Sequence, residues 1–563
     1  MILELLRFLG AAAILITPGV LFAHWLSLGR CKLERFTHGS CLGLALAVYL
    51  STAISDLDLR FFYPVWAAVG LLSVALCFRK RKVDLAPQST SDQWALLVLL
   101  LVAVAQYGVA LPQIVPNGGD PPAGHLIIAE KIQMAQHAAS DWLPFADAPI
   151  NYPPGSYTLI AVLATVSRLP VFTAFKDLMP LLGVLSAAQV CLFTRRVTGN
   201  PIAATYAAIA YAAWAPLGGI VFYTSGGLPV QLAMLLFLAM LSAWLEDTSR
   251  SSRLAAASIL YSGVILAHHH TQVASGIVLI SIIGCLLLMR KFRRDAQLLA
   301  LAMMIAIVLD SFFLIPYFAK IPELLQTNAL HNEWQRTVEQ ILKSFGEIYL
   351  VAAVIGAISW ARPRCHPALI SSCTSLVVVF ILCEFVLPLW LSTPGHHRKA
   401  PLSPLEFLND LTFFAAAYVG LAVALLQKHY RIPTAGAIVG MLLVGLSQYN
   451  LWRIAAQPPD VTPDYLAACR WIRANTSPDS VVAGNIWAPY LSWRRAPLFP
   501  LPDSELTRRG DEMTRHIAAI LAGKSPPDSP NMKLVRIVEG PDTSGRPVLW
   551  RSPGDLRVVQ DWP

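Results

Sequence analysis

The sequence predicts a mainly α-helical protein that crosses a membrane many times and ends in a small α/β domain. One observation is composition: 55% of the 563 residues are hydrophobic and only 14% are charged, with a mean hydropathy of +0.55. A soluble globular chain is far less apolar. The second observation is distribution, because the apolar residues fall into runs of about 20, the length that crosses the hydrocarbon core as a helix. We therefore predict a polytopic helical membrane protein.

About fourteen such runs can be placed within residues 1–451, which we predict to be the transmembrane domain. The predicted spans are 8–27, 38–55, 61–78, 93–112, 175–194, 201–221, 228–245, 254–268, 272–289, 296–317, 346–361, 368–391, 409–427 and 433–451. The apolar run 156–167 is too short to cross, so we predict a juxtamembrane or re-entrant helix there.

The basic residues predict how the chain is threaded. They concentrate in alternate loops, with dense clusters at Arg79–Lys82 and Arg290–Arg294. Lys and Arg near the ends of spans are retained on the cytoplasmic side. We therefore expect a multi-pass protein of the inner (cell) membrane with both termini and the loop 113–174 extracytoplasmic. The net charge of +9 follows from these loops, and no basic patch alternates with stacking aromatic residues as nucleic-acid binding would require.

Residues 452–563 are predicted to form an extracytoplasmic soluble domain. The composition turns polar and rich in proline at Gln457–Pro459, and Asp464–Asn475 has the apolar spacing of a short helix. Short runs rich in β-branched residues then predict strands at 480–483, 533–538 and 556–559. A small α/β fold is the expected result.

The loop 113–174 has the densest set of polar signals. It begins Asn117-Gly-Gly-Asp-Pro-Pro-Ala-Gly-His125, where glycine and proline favour a tight turn that holds Asp120 and His125 near the membrane surface. A carboxylate there could remove a proton from an acceptor hydroxyl, and Asp120 and His125 together could hold a divalent cation. The alternative is that Asp120 only caps a helix beginning near His125.

Further polar residues are predicted on the same outer side. The triplet His268–His270 lies at the outer end of the eighth span. Adjacent helical side chains point about 100° apart, so the three cannot all bind one ion, and we expect one or two of them to line a cavity while the rest lie at the interface. A simple interfacial turn is the alternative. Asp310 and Glu384 lie within apolar runs, where a carboxylate faces a wet cavity or is neutralised by protonation or a neighbouring helix. Arg398 and Lys399 could bind a phosphate or lipid headgroups, and a guanidinium can hold two phosphate oxygens.

An acidic residue in a long external loop, followed by a helix, the aromatic-Pro-Pro stretch Tyr152–Pro154 and many further spans, resembles the GT-C class of membrane glycosyltransferases. The segment Tyr465–Val482 (YLAACRWIRANTSPDSVV) is similar to the opening of the extracytoplasmic domains that many such proteins carry. The resemblance implies a polyprenyl-phosphate-linked sugar donor, an acceptor glycan, lipid or protein, and a role for Asp120 as catalytic base or metal ligand.

From these observations we expect transfer of a sugar to an acceptor on the outer face with inversion at the anomeric carbon. Asp120 and His125 are the expected catalytic residues; the expected substrate-binding residues are Tyr152, His269, His270, Asp310, Glu384, Arg398 and Lys399. The cofactor stays open, a divalent cation being one possibility. The rival hypotheses are a transporter or lipid flippase without covalent chemistry, a surface-polysaccharide polymerase or ligase, and a noncatalytic scaffold.

Overall fold

The computed structural model describes most of the helical part of the chain and portions of the tail. The described residues are 2–79, 89–115, 120–139, 150, 152–214, 227–319, 347–360, 367, 371, 374, 375, 377, 404–447, 459–477, 480–483, 487–494, 534–539, 548–552 and 556–562. The predicted span 368–391 therefore lies largely outside them.

Helices dominate the described chain up to residue 447. Their bounds are α1 Ile2–Trp25, α2 Lys32–Ser55, α3 Phe62–Arg79, α4 Thr90–Ala110, α5 Asp120–Ala135, α6 Gly155–Ser167, α7 Val171–Thr198, α8 Pro201–Ile209, α9 Leu228–Trp244, α10 Arg250–Ala267, α11 His269–Leu288, α12 Arg293–Leu309, α13 Ser311–Ala319, α14 Glu347–Trp360, α15 Pro404–Tyr430 and α16 Thr434–Ser447. Every residue of α9 is buried, so this helix lies in the centre of the bundle.

Several helices begin at side chains that satisfy the free N–H groups of the first turn. Ser89 and Asp92 form a reciprocal capping box at α4. The Asn200 side chain accepts hydrogen bonds from Ile202 and Ala203 at the start of α8, where Pro201 occupies the first helical position. Both caps are residue types that the sequence alone associates with helix starts, and they mark the first residues of α4 and α8.

Seven described helices are long and apolar enough to cross a membrane: α1, α2, α3 with its preceding turn, α4, α7, α11 and part of α15. The pair α12 and α13 is an eighth candidate, and three shorter apolar helices are α6, α9 and most of α16. The protein is thus a multi-pass helical membrane protein, whereas the number fourteen stays a prediction. Within the predicted span 296–317 the chain bends by 73° between α12 and α13, so this segment is either one broken span or a re-entrant loop.

The basic ends of several helices meet at one end of the bundle. Arg196, in the last turn of α7, lies 2.7 Å from Glu34 and 2.6 Å from Glu246. Its neighbour Arg195 pairs with Asp92 at the start of α4. The start of α2, the start of α4, the end of α7 and the residues just after α9 therefore lie together. That this end faces the cytoplasm stays a prediction.

The loop 113–174 lies at the opposite end. The backbone N–H of Leu59 donates to Gln136 at 2.7 Å, and that of Ala138 donates to Ser55 at 3.0 Å, which ties the end of α5 to the turn after α2. α6 packs on α5, α2 and α7. Its 13 residues are too few to cross the hydrocarbon core, in agreement with the predicted juxtamembrane or re-entrant helix.

In the tail the structure describes α17 Pro463–Asn475, β1 Val481–Ala483, α18 Trp487–Ser492, β2 Leu534–Glu539, β3 Val548–Arg551 and β4 Leu556–Trp562. The strands form one sheet in the order β1-β2-β4-β3, in which β1 and β2 are parallel and the other two pairs are antiparallel. α17 begins at Thr462, whose side chain accepts from the Tyr465 N–H, and it packs against α18 and β4.

Candidate active site

His125 lies in the second turn of α5 and faces α6. Its Nδ1 is 3.0 Å from the Tyr157 hydroxyl, and the two rings are stacked with centroids 5.6 Å apart. Burial is the main cause that lowers the pKa of His125 to about 4, with a smaller contribution from His269. The imidazole is therefore neutral near pH 7, and one of its two nitrogens is already engaged by Tyr157.

The start of α6 is locked against the end of α10. Ser156 Oγ donates to the Ala267 carbonyl at 2.9 Å, and a Cβ on Gly155 would lie 2.5 Å from the Leu266 carbonyl oxygen. Only glycine allows this approach, because any larger residue would force the two backbones apart. The sequence Pro153-Pro154-Gly155 thereby fixes Tyr152 and Tyr157 beside the histidine triplet.

Tyr152 joins the loop to the triplet. Its ring meets His269 edge to face at 4.8 Å, and its centroid is 6.2 Å from that of His125. The predicted site residues His125, Tyr152 and His269 are therefore brought into one cluster, although they come from three separate segments of the chain.

The histidine triplet lies where α10 ends and α11 begins: His268 is the N-cap of α11, and His269 and His270 are its first two residues. Each ring has different surroundings. His268 is extended, and its Nδ1 accepts from the Thr271 backbone N–H at 3.3 Å, so it caps α11. His269 borders Tyr152, whereas His270 is buried, with Nδ1 3.8 Å from Oδ2 of Asp410. The three rings thus have different surroundings, whereas the division between a cavity and the interface stays a prediction.

Asp410 is a residue that the sequence analysis missed. It lies in the first turns of α15 and is 1% exposed. The signal was available, because Asp410 lies within the predicted span 409–427, and a carboxylate in an apolar run usually marks a functional site.

Asp310, a predicted substrate-binding residue, contacts a side chain of a neighbouring helix. It is fully buried at the bend between α12 and α13, and its Oδ1 accepts from Ser262 Oγ on α10 at 2.7 Å. This geometry agrees with the alternative that the carboxyl group is matched by a neighbouring helix. A part in substrate binding stays a prediction for Asp310.

The tail reaches the loop helix directly. Nη1 of Arg473 on α17 lies 3.7 Å from Oε1 of Glu130 on α5, and the Tyr490 hydroxyl approaches the same carboxylate. Burial raises the pKa of Glu130, an effect that Tyr490 and Arg473 partly oppose. The tail therefore lies at the same end of the bundle as the predicted site.

The remaining predicted residues are described only in part. α5 begins at Asp120. The alternative placed the start of this helix five residues later, near His125. The Asp120 side chain lies outside the described part. Glu384, Arg398 and Lys399 lie outside the described residues altogether. Among the described side chains, no group of three or more His, Cys, Asp or Glu could hold a metal ion.

This arrangement of helices is the fold of the GT-C class of membrane glycosyltransferases, and the predicted resemblance is confirmed at the level of the fold. ArnT from Cupriavidus metallidurans bound to undecaprenyl phosphate matches with a TM-score of 0.55 at 14% identity, over 84% of this chain and 98% of that one. The oligosaccharyltransferase of Archaeoglobus fulgidus, tethered with an acceptor peptide, matches with a TM-score of 0.52 at 13% identity, over 80% and 69%.

The mycobacterial arabinofuranosyltransferase AftD matches with a TM-score of 0.53 at 14% identity, over 85% of this chain but 42% of AftD. By sequence, no protein-family model and no curated protein matches the chain. Identities this low show a common fold and leave the activity to be argued from the site.

Proposed function

We propose that the protein is a glycosyltransferase that moves a sugar from a polyprenyl-phosphate donor to an acceptor glycan, lipid or protein at the extracytoplasmic face. One observation carries the proposal. His125, on the helix that begins at Asp120, is held against Tyr152 and His269 in a fold shared with ArnT, whose structure holds undecaprenyl phosphate.

In the proposed reaction Asp120 is the general base. It accepts the proton of an acceptor hydroxyl as that oxygen attacks the anomeric carbon, and the bond between this carbon and the phosphate oxygen breaks. A single displacement from the face opposite the phosphate inverts the anomeric configuration. Polyprenyl phosphate leaves with the bonding electrons, and the proton stays on Asp120.

His125 is proposed to bind substrate as a neutral donor. If the Tyr157 hydroxyl donates to Nδ1, then Nε2 carries the ring proton and can donate to a sugar or phosphate oxygen. The low pKa of His125 keeps it in this form at neutral pH. Through this contact with the substrate, His125 keeps its expected place among the catalytic residues. His269 contacts Tyr152 and is kept as a proposed substrate-binding residue.

Arg398 and Lys399 are proposed to hold the leaving phosphate, because charge that develops on it in the transition state needs fixed cationic partners. Arg398 is the better candidate, since its planar group can bind two oxygens. We derive no step through a metal ion, because the described site residues do not converge on one point in the way that a ligand set requires.

The test uses the full chain in lipid nanodiscs with polyprenyl-phosphate donors that carry a radiolabelled sugar. Asp120→Asn should lower the transfer rate at least about 100-fold, the usual contribution of a general base, while size-exclusion behaviour stays unchanged. Asp58→Asn is the matched control, because Asp58 is also an outer-loop carboxylate and asparagine can keep its bond to the Arg60 N–H.

Retained transfer in Asp120→Asn would exclude this residue as the base. Flux of the lipid-linked sugar across sealed vesicles without a covalent product would favour the transporter hypothesis. Product analysis by NMR decides between inversion and retention, since the anomeric configuration of donor and product can be compared directly.

A further inference from the structure

A cavity of about 170 Å³ opens where α2, the Tyr152 segment and α13 meet. Its wall includes Asp56, which directly follows α2, together with Tyr152, Phe312, Phe313 and Tyr317. Apart from Tyr152, these residues belong to none of the motifs that the sequence singled out. The cavity is assembled by packing between segments about 250 residues apart in the chain.

The electrostatics of the cavity disfavour an anion. Asp56 alone among the described wall residues carries a formal charge. It is the C-cap of α2, the end of a helix at which unpaired carbonyl groups already create negative potential. Its side chain is exposed to solvent, and the partial burial that remains raises the pKa of Asp56, with no described cationic residue acting against this shift. A phosphate would meet repulsion here, whereas hydroxyl groups could donate hydrogen bonds to the carboxylate.

Four of the described wall residues are aromatic: Tyr152, Phe312, Phe313 and Tyr317. The rings of Phe313 and Tyr317 are stacked, with centroids 5.3 Å apart and planes inclined by 28°. Phe312 is held edge to face against Tyr49 at 6.2 Å. The negative faces of such rings attract the weakly positive C–H groups of a sugar ring. A wall that contains both a carboxylate and aromatic rings suits a ligand that has hydroxyl groups as well as C–H groups.

The volume and the position of the cavity further restrict the class of ligand that can bind. The volume is below the roughly 300–1,000 Å³ typical of pockets for drug-sized ligands, so one ring fits where a polyprenyl chain or an oligosaccharide would not. Tyr152 belongs both to this wall and to the cluster with His269. A ring in the cavity would therefore lie next to the proposed reaction centre.

We propose that this cavity is a subsite for one monosaccharide ring, in which Asp56 accepts hydrogen bonds from sugar hydroxyls and Phe312, Phe313 and Tyr317 contact the ring. The role of the bound sugar rests on the proposed function: the ring would belong either to the donor or to the acceptor of the transfer. Its binding chemistry can be tested without any transfer reaction.

The first experiment is saturation-transfer difference NMR on the full chain in nanodiscs free of glycoside detergents. The probes are free D-glucose, D-galactose, D-mannose and D-arabinose, each alone. At least one should receive saturation from the wild-type protein. Asp56→Asn should weaken its apparent affinity about tenfold or more, the usual worth of a hydrogen bond to a charged group, and Phe312→Leu should also weaken it.

Asp58→Asn is again the control and should leave binding unchanged, because its side chain caps the turn at Leu59–Phe61 and lies outside the described cavity wall. Absence of saturation for all four sugars would overturn the subsite. So would equal affinities in the wild type, Asp56→Asn and Phe312→Leu, or competition by inorganic phosphate that Asp56→Asn leaves unaltered. Each variant is first compared with the wild type by size exclusion and thermal unfolding.

A second experiment separates the two sources of the sugar. If transfer occurs, Asp56→Asn should raise KM for the lipid-linked donor when the cavity holds the donor sugar, or KM for the acceptor when it holds the acceptor sugar. Unchanged KM for both substrates would overturn the assignment even where transfer itself is confirmed. Failure of transfer in the wild type would count against the proposed function and leave the NMR result standing.

Discussion

The Arg473 guanidinium lies 3.7 Å from the Glu130 carboxylate and so joins the tail to the helix that begins at Asp120. Glu130 is five residues beyond His125 on the same helix. The position of α5 is therefore fixed from two sides, by α6 at His125 and by the tail at Glu130. The tail therefore contacts the helix on which His125 lies.

This contact predicts that docking of the tail depends on pH. The pKa of Glu130 is raised above 4.5 in the docked form, so the docked form binds more protons than the released one. Docking should accordingly be strongest below pH 4.5 and weaken as the pH rises through the raised value. The docking equilibrium at each pH can be measured by hydrogen exchange of the backbone amides of α17, after correction for the pH dependence of the intrinsic exchange rates. Glu130→Gln should remove the dependence; an equal slope in that variant would contradict the assignment.

His125 gives a pH effect of opposite sign. Its pKa is about 4 in the folded protein against an ordinary value of 6.5, so the folded state binds fewer protons in this interval. The stabilisation linked to neutral His125 is complete above pH 6.5 and is lost as the pH falls towards 4. Thermal unfolding midpoints between pH 7.5 and 5 should fall less in His125→Asn than in the wild type. Parallel curves would show that His125 is not buried as described.

Gly155 tests whether the close approach of α6 and α10 positions the site. In Gly155→Ala the new methyl group would lie 2.5 Å from the Leu266 carbonyl oxygen, and such overpacking costs about 1–3 kcal/mol. We expect a lower unfolding midpoint together with reduced transfer, since Tyr152 and Tyr157 would shift. Gly70→Ala is the matched control: nothing lies within 4 Å of its added Cβ, so stability should be unchanged or higher by up to about 1 kcal/mol.

The sequence predicts parts of this site well and others not at all. His125, Tyr152 and His269 could be found because glycine, proline and histidine are conspicuous between apolar runs. Asp56 could not, because its neighbours in the cavity come from α13, and no local pattern encodes the packing of distant helices. The bend at Asp310 was missed for a related reason: a carboxyl group matched by Ser262 interrupts the span without any proline at the break.

The buried contact between His270 and Asp410 should appear as energetic coupling. Asp410→Asn and His270→Gln remove either partner with little change in volume. Because both groups are buried and adjacent, their effects on stability should be non-additive by about 0.5–3 kcal/mol. Thermal unfolding of the wild type, both single variants and the double variant measures this coupling. Strict additivity would mean that the two side chains do not interact.

The ion pairs at the other end of the bundle offer a way to change stability without touching the site. Removing Arg196 would leave the carboxylates of Glu34 and Glu246, now 2.7 and 2.6 Å from it, buried without this shared cation. Breaking a buried pair in this way typically costs about 3–5 kcal/mol. Arg196→Met should therefore lower the unfolding midpoint strongly, whereas KM for donor and acceptor should stay constant in the fraction that remains folded.

Arg60→Met is the matched control, since Arg60 pairs with Asp58 in an exposed turn where an ion pair contributes at most about 1 kcal/mol. A large loss of stability in this variant, or a small one in Arg196→Met, would contradict the burial of the network. Because the network lies at the end of the bundle away from His125, a changed KM in Arg196→Met would instead show that the two ends are coupled through α2 or α7.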